Sequence, residues 1–437
     1  MHYVIIGSGP AGISAAEAIR SLDTSGEITL ITEDQDGYYS RPGLAYYLTG
    51  EIPESGLYPF QPKELQRLRM QHVHGRAVQI KADEHRLILQ NGQSTAYDRL
   101  LIAVGAQAVT IQNPGVELQG VFKLDTLENA RHILKMARKA KSAVVIGGGI
   151  TALEIVEGLR ARGVRVHYFL RGDRYWANVL DEHESRIVEH HLKKDGVQLH
   201  FETDLDEILG KGGKVVGVRT TAGVIVKCEM VGVAVGVKPR NGLAQQSGLQ
   251  VDRAVVVDQF MRTSAPDVYA AGDVAQVQDS VTGKSFLNTL WSPARNQGYT
   301  AGMNMAGERI GYTQGAPFNV TRLAGLTTTI IGAVGSREAD RDVVGIVRGD
   351  SETWRQVPEA LVCQGGFDAN WLRLLIGDQY LVGGLVMGDQ KLSQAVHHLV
   401  EERVDITPIR DQLLDPKASP ADVLAGFWGR VKSSSRN

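Results

Sequence analysis

Cysteine is the most telling scarcity in this chain of 437 residues: there are two, Cys228 and Cys363. They stand 135 positions apart (363 − 228), and no Cys-x-x-Cys spacing occurs anywhere. A redox disulfide between close-spaced cysteines is excluded, as is a cysteine-rich zinc or iron–sulfur site. Each lone cysteine reads as a small buried apolar side chain. Long hydrophobic runs are missing too. The longest are strand-length, short of the roughly 20 residues that span a bilayer. Charge of one sign is not in excess: the formal net charge is −2, so no nucleic-acid partner is expected. No basic leader precedes the first motif, which begins at Tyr3; a cytoplasmic protein is expected. The histidines offer no metal set. His190-His191 and His397-His398 are adjacent pairs that point to different sides of their helices, and His72 and His74 share a strand face without a third ligand.

Glycine, by contrast, is plentiful, with 49 of 437 residues against a typical ~7%. Such an excess fits tight turns and close approach of backbone to ligands. Apolar residues at 43% and charged residues at 22% are those of an ordinary globular protein, and a prior of about 150 residues per domain gives roughly three domains.

The glycines fall into a pattern at the start. In "HYVIIGSGPAGISAAEAIRSL" an apolar strand runs into Gly7-x-Gly9-x-x-Gly12, a helical pattern follows to about Leu22, and a second strand, "EITLIT", leads to Glu33. Glu33 lies 21 residues after Gly12 (33 − 12), near the ~20 expected of a dinucleotide fold. Gly7 permits the tight turn, Gly9 lets backbone approach a pyrophosphate and Gly12 lets helix and strand pack closely. The helix N-terminus attracts phosphates, and Glu33 accepts hydrogen bonds from a ribose.

A second copy begins at residue 143, "AVVIGGGITALEIVEGLRARGVRVHYFLRGDR", with Gly147-x-Gly149-x-x-Ala152; Ala is allowed at the third place. Two such units imply two dinucleotides. In the second copy the expected acid is absent. Leu170 stands at its place, with Arg171 next and Arg174 close by. Leu170 neither hydrogen-bonds a ribose 2′-hydroxyl nor repels a 2′-phosphate, and Arg171 suits such a phosphate as a charge-assisted partner. As bland surface residues Arg171 and Arg174 simply solvate the loop.

Elsewhere "YDRLLIAVGA" (97–106) and "CEMVGVAVGVKPR" (228–240) read as strands ending in glycine turns, and "TSAPDVYAAGDV" (263–274) as a strand ending at Gly272-Asp273. Beyond 317 the chain turns β-rich, then helical at "KLSQAVHHLVEERV". Ser292 and Pro293 read as the N-cap and first turn of another helix. Near the end, Leu424, Phe427, Trp428 and Val431 fall at helical spacing. That stripe suits core or dimer contact, and otherwise a membrane or partner.

These pieces in this order resemble the two-dinucleotide flavoprotein reductases of the pyridine nucleotide-disulfide oxidoreductase superfamily, over nearly the whole chain. The stretch "GYYSRPGLAYYLTG" (37–50) has no cysteine, and its Tyr39–Leu44 element resembles the rubredoxin and ferredoxin reductases and the flavin part of nitrite reductases. The resemblance implies an α/β fold with an NAD(P)-binding Rossmann domain (113–244) inserted in a FAD-binding one (1–112 and 245–316), followed by an α+β interface domain (317–437) that forms a homodimer. It places FAD against Gly7, Gly9, Pro10, Ala11, Gly12, Glu33, Ser40, Arg41, Pro42, Val78, Ala103, Gly105, Gly272, Asp273 and Trp291. It places NAD(P)H against Gly147, Gly149, Ala152, Glu154, Arg171, Arg174 and Gly236. Relatives often carry a Lys where this chain has Tyr46, so a cation near the flavin is expected to be missing. No side-chain acid, base or nucleophile is required, because the flavin carries the chemistry.

The expected activity is therefore electron transfer from NAD(P)H, with a lean to NADPH from Leu170 and Arg171. It runs through FAD to a rubredoxin, ferredoxin or iron–sulfur partner subunit. Reduction of quinone or oxygen, and a redox-responsive structural or signalling role, are the alternatives.

Overall fold

The computed structural model describes residues 1–60, 62–278, 285–332, 334, 361–367 and 370–434, without the side chains at 62, 361–367 and 434. The fold contains the same architectural unit twice. In the first, five parallel strands are ordered Val268–Ala270, Arg99–Ile102, His2–Ile6, Glu27–Thr32, Met70–His74. In the second the order is Gln198–His200, Arg165–Phe169, Ser142–Ile146, Met230–Val233, Val121–Phe122, again all parallel. Strands such as Ser142–Ile146 and Met230–Val233 are buried at every residue, as parallel sheets covered on both faces require. All strands of the second sheet lie between Val121 and Val233, inside the sequence span of the first.

Between the two units run two short strands, Ala106–Ala108 outward and Val237–Pro239 on the return, paired antiparallel to each other. The stretch 228–240 holds a strand that ends at a glycine turn, as its sequence predicts. It breaks into Met230–Val233 and Val237–Pro239, because Gly236 takes a φ of +121°, outside any strand conformation. Likewise 97–106 holds a strand only over Arg99–Ile102.

The C-terminal part is an antiparallel sheet ordered Phe318–Leu323, Leu326–Gly332, Leu381–Met387, Asn370–Ile376, Leu361–Phe367. The helices Ser393–Glu401, Thr407–Leu414 and Pro420–Ser434 share its apolar core. The stripe in the last helix is spent there. Leu424 and Phe427 are buried, and Trp428 and Val431 pack partly buried against the same cluster. Among the described residues no helix is long and apolar enough to cross a membrane. Cys228 is buried, which pushes its thiol up to about 12; the side chain of Cys363 lies outside the described residues. No cluster of His, Cys, Asp and Glu among the described residues could hold a metal ion.

Candidate dinucleotide-binding sites

At the first glycine turn, Gly7 has a φ of +112°, and a Cβ there would lie 2.2 Å from the Ala103 carbonyl oxygen. Gly12 would meet the Gly7 oxygen at 2.0 Å. Neither position tolerates a side chain, so helix Pro10–Leu22 sits tight on its strand. Gly9 is the N-cap of that helix, offers no side-chain cap and has nothing within 4 Å of an added Cβ. Pro10 occupies the first turn and Ala11 is buried against Gly272. Open space, unspent backbone N–H groups and the positive helix end together fit a pyrophosphate.

The second turn repeats this geometry. Gly147 has a φ of +138° and its Cβ would lie 2.1 Å from the Ala234 oxygen. Gly149 caps helix Ile150–Ala161 without a side chain, and Ala152 is fully buried. Gly105 and Gly236 both have positive φ, +68° and +121°, each two residues beyond the alanine whose carbonyl meets the turn. Glu154 is half-buried on the second helix.

The strand registers fix which residues correspond. Gly7 N–H donates to Ile31 and Gly147 N–H to Phe169, while Ile6 faces Ile31 and Ile146 faces Phe169. Two residues beyond each of these partners stand Glu33 and Arg171. The place equivalent to Glu33 is therefore held by Arg171, one residue beyond the Leu170 read from the end of the strand. Leu170 is 1% exposed and its backbone bonds His200 and Thr203. Arg171 is exposed. Arg174 is folded back on its own loop, donating to Asp173 at 3.2 Å and to the Ala177 carbonyl at 3.4 Å.

Other residues close on the first unit. Gly272 has a φ of +80°, and its N–H donates to the fully buried Gln297 at 2.9 Å. Gly272-Asp273 follows strand Val268–Ala270 and abuts the first turn of the glycine helix. Val78 lies at a bulge between Ala77 and Gln79, a device that re-aims backbone. Ser40 accepts from Gly43 N–H through its hydroxyl at 3.2 Å, which shapes the turn holding Pro42. Trp291 is 43% exposed, with the Arg295 guanidinium 5.2 Å from its ring centre. Helix Trp291–Met305 is capped by Leu290, not by Ser292, without a side-chain cap hydrogen bond among the described residues. The buried Leu290 side chain sets the start earlier than the Ser-Pro signal suggested.

Arg41 is paired with Asp125. It donates to the backbone oxygen of Asp125 at 2.9 Å and to its carboxylate at 3.4 Å. Asp125 is buried. Two residues here have no sequence signature. Asp125 merely precedes the N-cap Thr126, and Arg240 merely follows the returning hinge strand.

Residues 1–298 match the family model described as pyridine nucleotide-disulphide oxidoreductase. Similar proteins include an NADH oxidase of Methanocaldococcus jannaschii, 32% identical over 70% of each chain. A rubredoxin-NAD(+) reductase of Pseudomonas putida is 31% identical over 63% of this chain and 72% of its own. The NADH-dependent phenylglyoxylate dehydrogenase subunit epsilon of Aromatoleum evansii is 26% identical over 98% of both chains. The fold matches a ferredoxin reductase structure from Rhodopseudomonas palustris, with a TM-score of 0.84 and 24% identity over 97% of this chain and 99% of that one. Duplicated glycine turns and the extent of the family match lead to one conclusion: the chain belongs to the pyridine nucleotide-disulphide oxidoreductase family.

Proposed function

We propose that this protein is a FAD-dependent NAD(P)H oxidoreductase that delivers electrons one at a time to a small iron–sulfur or rubredoxin-type protein, or to a partner subunit carrying such a centre. The observation that carries this reading is the pair of equivalent glycine turns, each leading into a helix whose N-cap glycine offers no side-chain cap. The first, with Glu33 and Gly272-Asp273 beside it, would hold FAD; the second would hold NAD(P)H. FAD bound there would supply the step from two-electron donor to one-electron acceptor. The chain binds and aligns the two dinucleotides and excludes water. The stretch 37–50 has no cysteine, so no disulfide relay intervenes. Similarity to a rubredoxin reductase and to a named subunit of a dehydrogenase, the latter end to end, supports an electron-carrying partner. We read residues 1–112 and 245–316 as the FAD unit, 113–244 as the NAD(P)H unit and 317–437 as a homodimer interface, in a cytoplasmic protein.

Arg171 at the place of the ribose acid supports a preference for NADPH, since a guanidinium suits a 2′-phosphate. Anaerobic bleaching of the oxidised flavin band, with NADH and NADPH compared on one preparation, tests both points. NADPH should bleach faster, and Arg171→Ala should slow NADPH selectively. The reverse order would sink the NADPH preference. No bleaching by either would sink the reductase. Similarity to an NADH oxidase keeps a second acceptor in view. Oxygen consumption that accounts for all NAD(P)H oxidised, unaffected by added rubredoxin or ferredoxin, would favour it.

A further inference from the structure

The guanidinium of Arg240 occupies a junction that the dinucleotide motifs do not include. Its Nη1 lies 3.4 Å from Oε1 of Glu33. Its Nε donates to the Ala106 carbonyl at 3.2 Å, and its Nη2 lies 3.7 Å from the buried carboxylate of Asp125. Its own N–H donates to the Gly105 carbonyl at 3.0 Å. One side chain thus touches the ribose acid of the first unit, the outgoing hinge strand and the carboxylate that also receives Arg41. Arg240 itself directly follows the returning hinge strand, Val237–Pro239.

The other cation near Glu33 is of a different kind. Arg76 reaches Oε2 only at 3.9 Å, and both side chains are more than half exposed there. An exposed pair of that sort contributes little. Arg240 is 29% exposed and anchored at two further points, so its fork is held in one place before any ligand arrives. A fixed guanidinium leaves a carboxylate fewer orientations to lose on binding.

We propose that Arg240 is a positioning residue for the first dinucleotide: it holds Glu33 ready to accept the ribose hydroxyls and ties that ribose to the hinge between the two nucleotide-binding units. The inference rests on the reading of the first unit as the FAD site. Glu33 was legible from the sequence, and the residue that aims it was not, because 207 positions separate the two.

The test is the FAD dissociation constant of the full chain, read from flavin fluorescence on release and rebinding, for four proteins: wild type, Arg240→Gln, Glu33→Gln and the double variant. Arg240→Gln should weaken FAD about tenfold, some 1.4 kcal/mol. In the Glu33→Gln background the same change should add nothing, because the two act as one unit. Arg240→Lys, which keeps a charge but not the fork, should recover part of the loss. An equal loss from Arg240→Gln with and without Glu33 would overturn the inference, since the arginine would then act on the fold alone. Tight binding by wild type and by Arg240→Gln alike would also overturn it. A wild-type chain that takes up no FAD would overturn the reading beneath it as well.

Discussion

Gly9 and Gly12 stand three residues apart and meet opposite surroundings. A Cβ on Gly9 enters open space, whereas one on Gly12 lies 2.0 Å from the Gly7 carbonyl oxygen. The same motif therefore contains one glycine that borders open space and one that packing requires. Gly9→Ala should leave the melting of the cofactor-free protein within about 1 kcal/mol and weaken FAD retention, because the added methyl sits where a pyrophosphate would approach. Gly12→Ala should lower stability itself, by about 1–3 kcal/mol. Thermal melting of the flavin-stripped variants, beside flavin retention after gel filtration, separates the two effects. The Leu170 and Arg171 pair teaches a related lesson. Read from the end of the apolar strand, the acid's place falls at Leu170. The Gly147 to Phe169 hydrogen bond puts Arg171 there.

Among elements, the tightest crossing joins the first glycine helix to helix Trp291–Met305. A Cβ on Gly298 would lie 2.1 Å from the Ala11 oxygen, and one on Gly302 2.4 Å from the Ala15 oxygen. That contact presses the later helix against the first turn of the earlier one, beside Gly272, whose N–H is held by Gln297 from the same helix. Gly298→Leu should force the helices apart. The expected result is loss of bound flavin together with a melting temperature lower by several degrees, as about 1–3 kcal/mol of overpacking implies. Unchanged flavin content in a folded Gly298→Leu protein would show that this crossing does not shape the site. The element boundaries, by contrast, yielded to local chemistry. The return strand breaks at Gly236, and the later helix starts at Trp291 because Leu290 is drawn into the core.

On the scale of the whole molecule, the C-terminal sheet is keyed to the second unit through buried charge. Arg373 pairs with the fully buried Glu184 at 2.9 Å and donates to the carbonyls of Val179 and Val334. Trp371 adds an indole hydrogen bond to the same carboxylate. A second joint lies on the glycine helix of the second unit. Glu157 accepts from Gly325 N–H at 3.0 Å, with Arg322 at 3.9 Å, and burial raises its carboxyl to about 7. The folded protein therefore binds a proton here that the unfolded chain releases near the ordinary carboxyl value of 4.5. Stability from this group is greatest below that value, falls as pH rises to about 7 and is flat above it. Glu157→Gln should remove that slope. It should be neutral near pH 5 and stabilising near pH 8 by at most about 3 kcal/mol; denaturant unfolding at the two pH values measures it.

The sequence by itself determined the two glycine-turn units, the steric need for glycine at Gly7, Gly12 and Gly147, and the family. These rest on short-range steric rules that leave the same residues at the same spacing in any such turn. The fate of the apolar tail was not readable in that way, since helical spacing alone does not say which surface Leu424 and Phe427 meet. Nor was the Asp125 partner of Arg41, the register that makes Arg171 the counterpart of Glu33, or the place of Arg240. Each of these depends on which distant segments come together, and a guanidinium meets a carboxylate 207 residues away only once two hinge strands have paired.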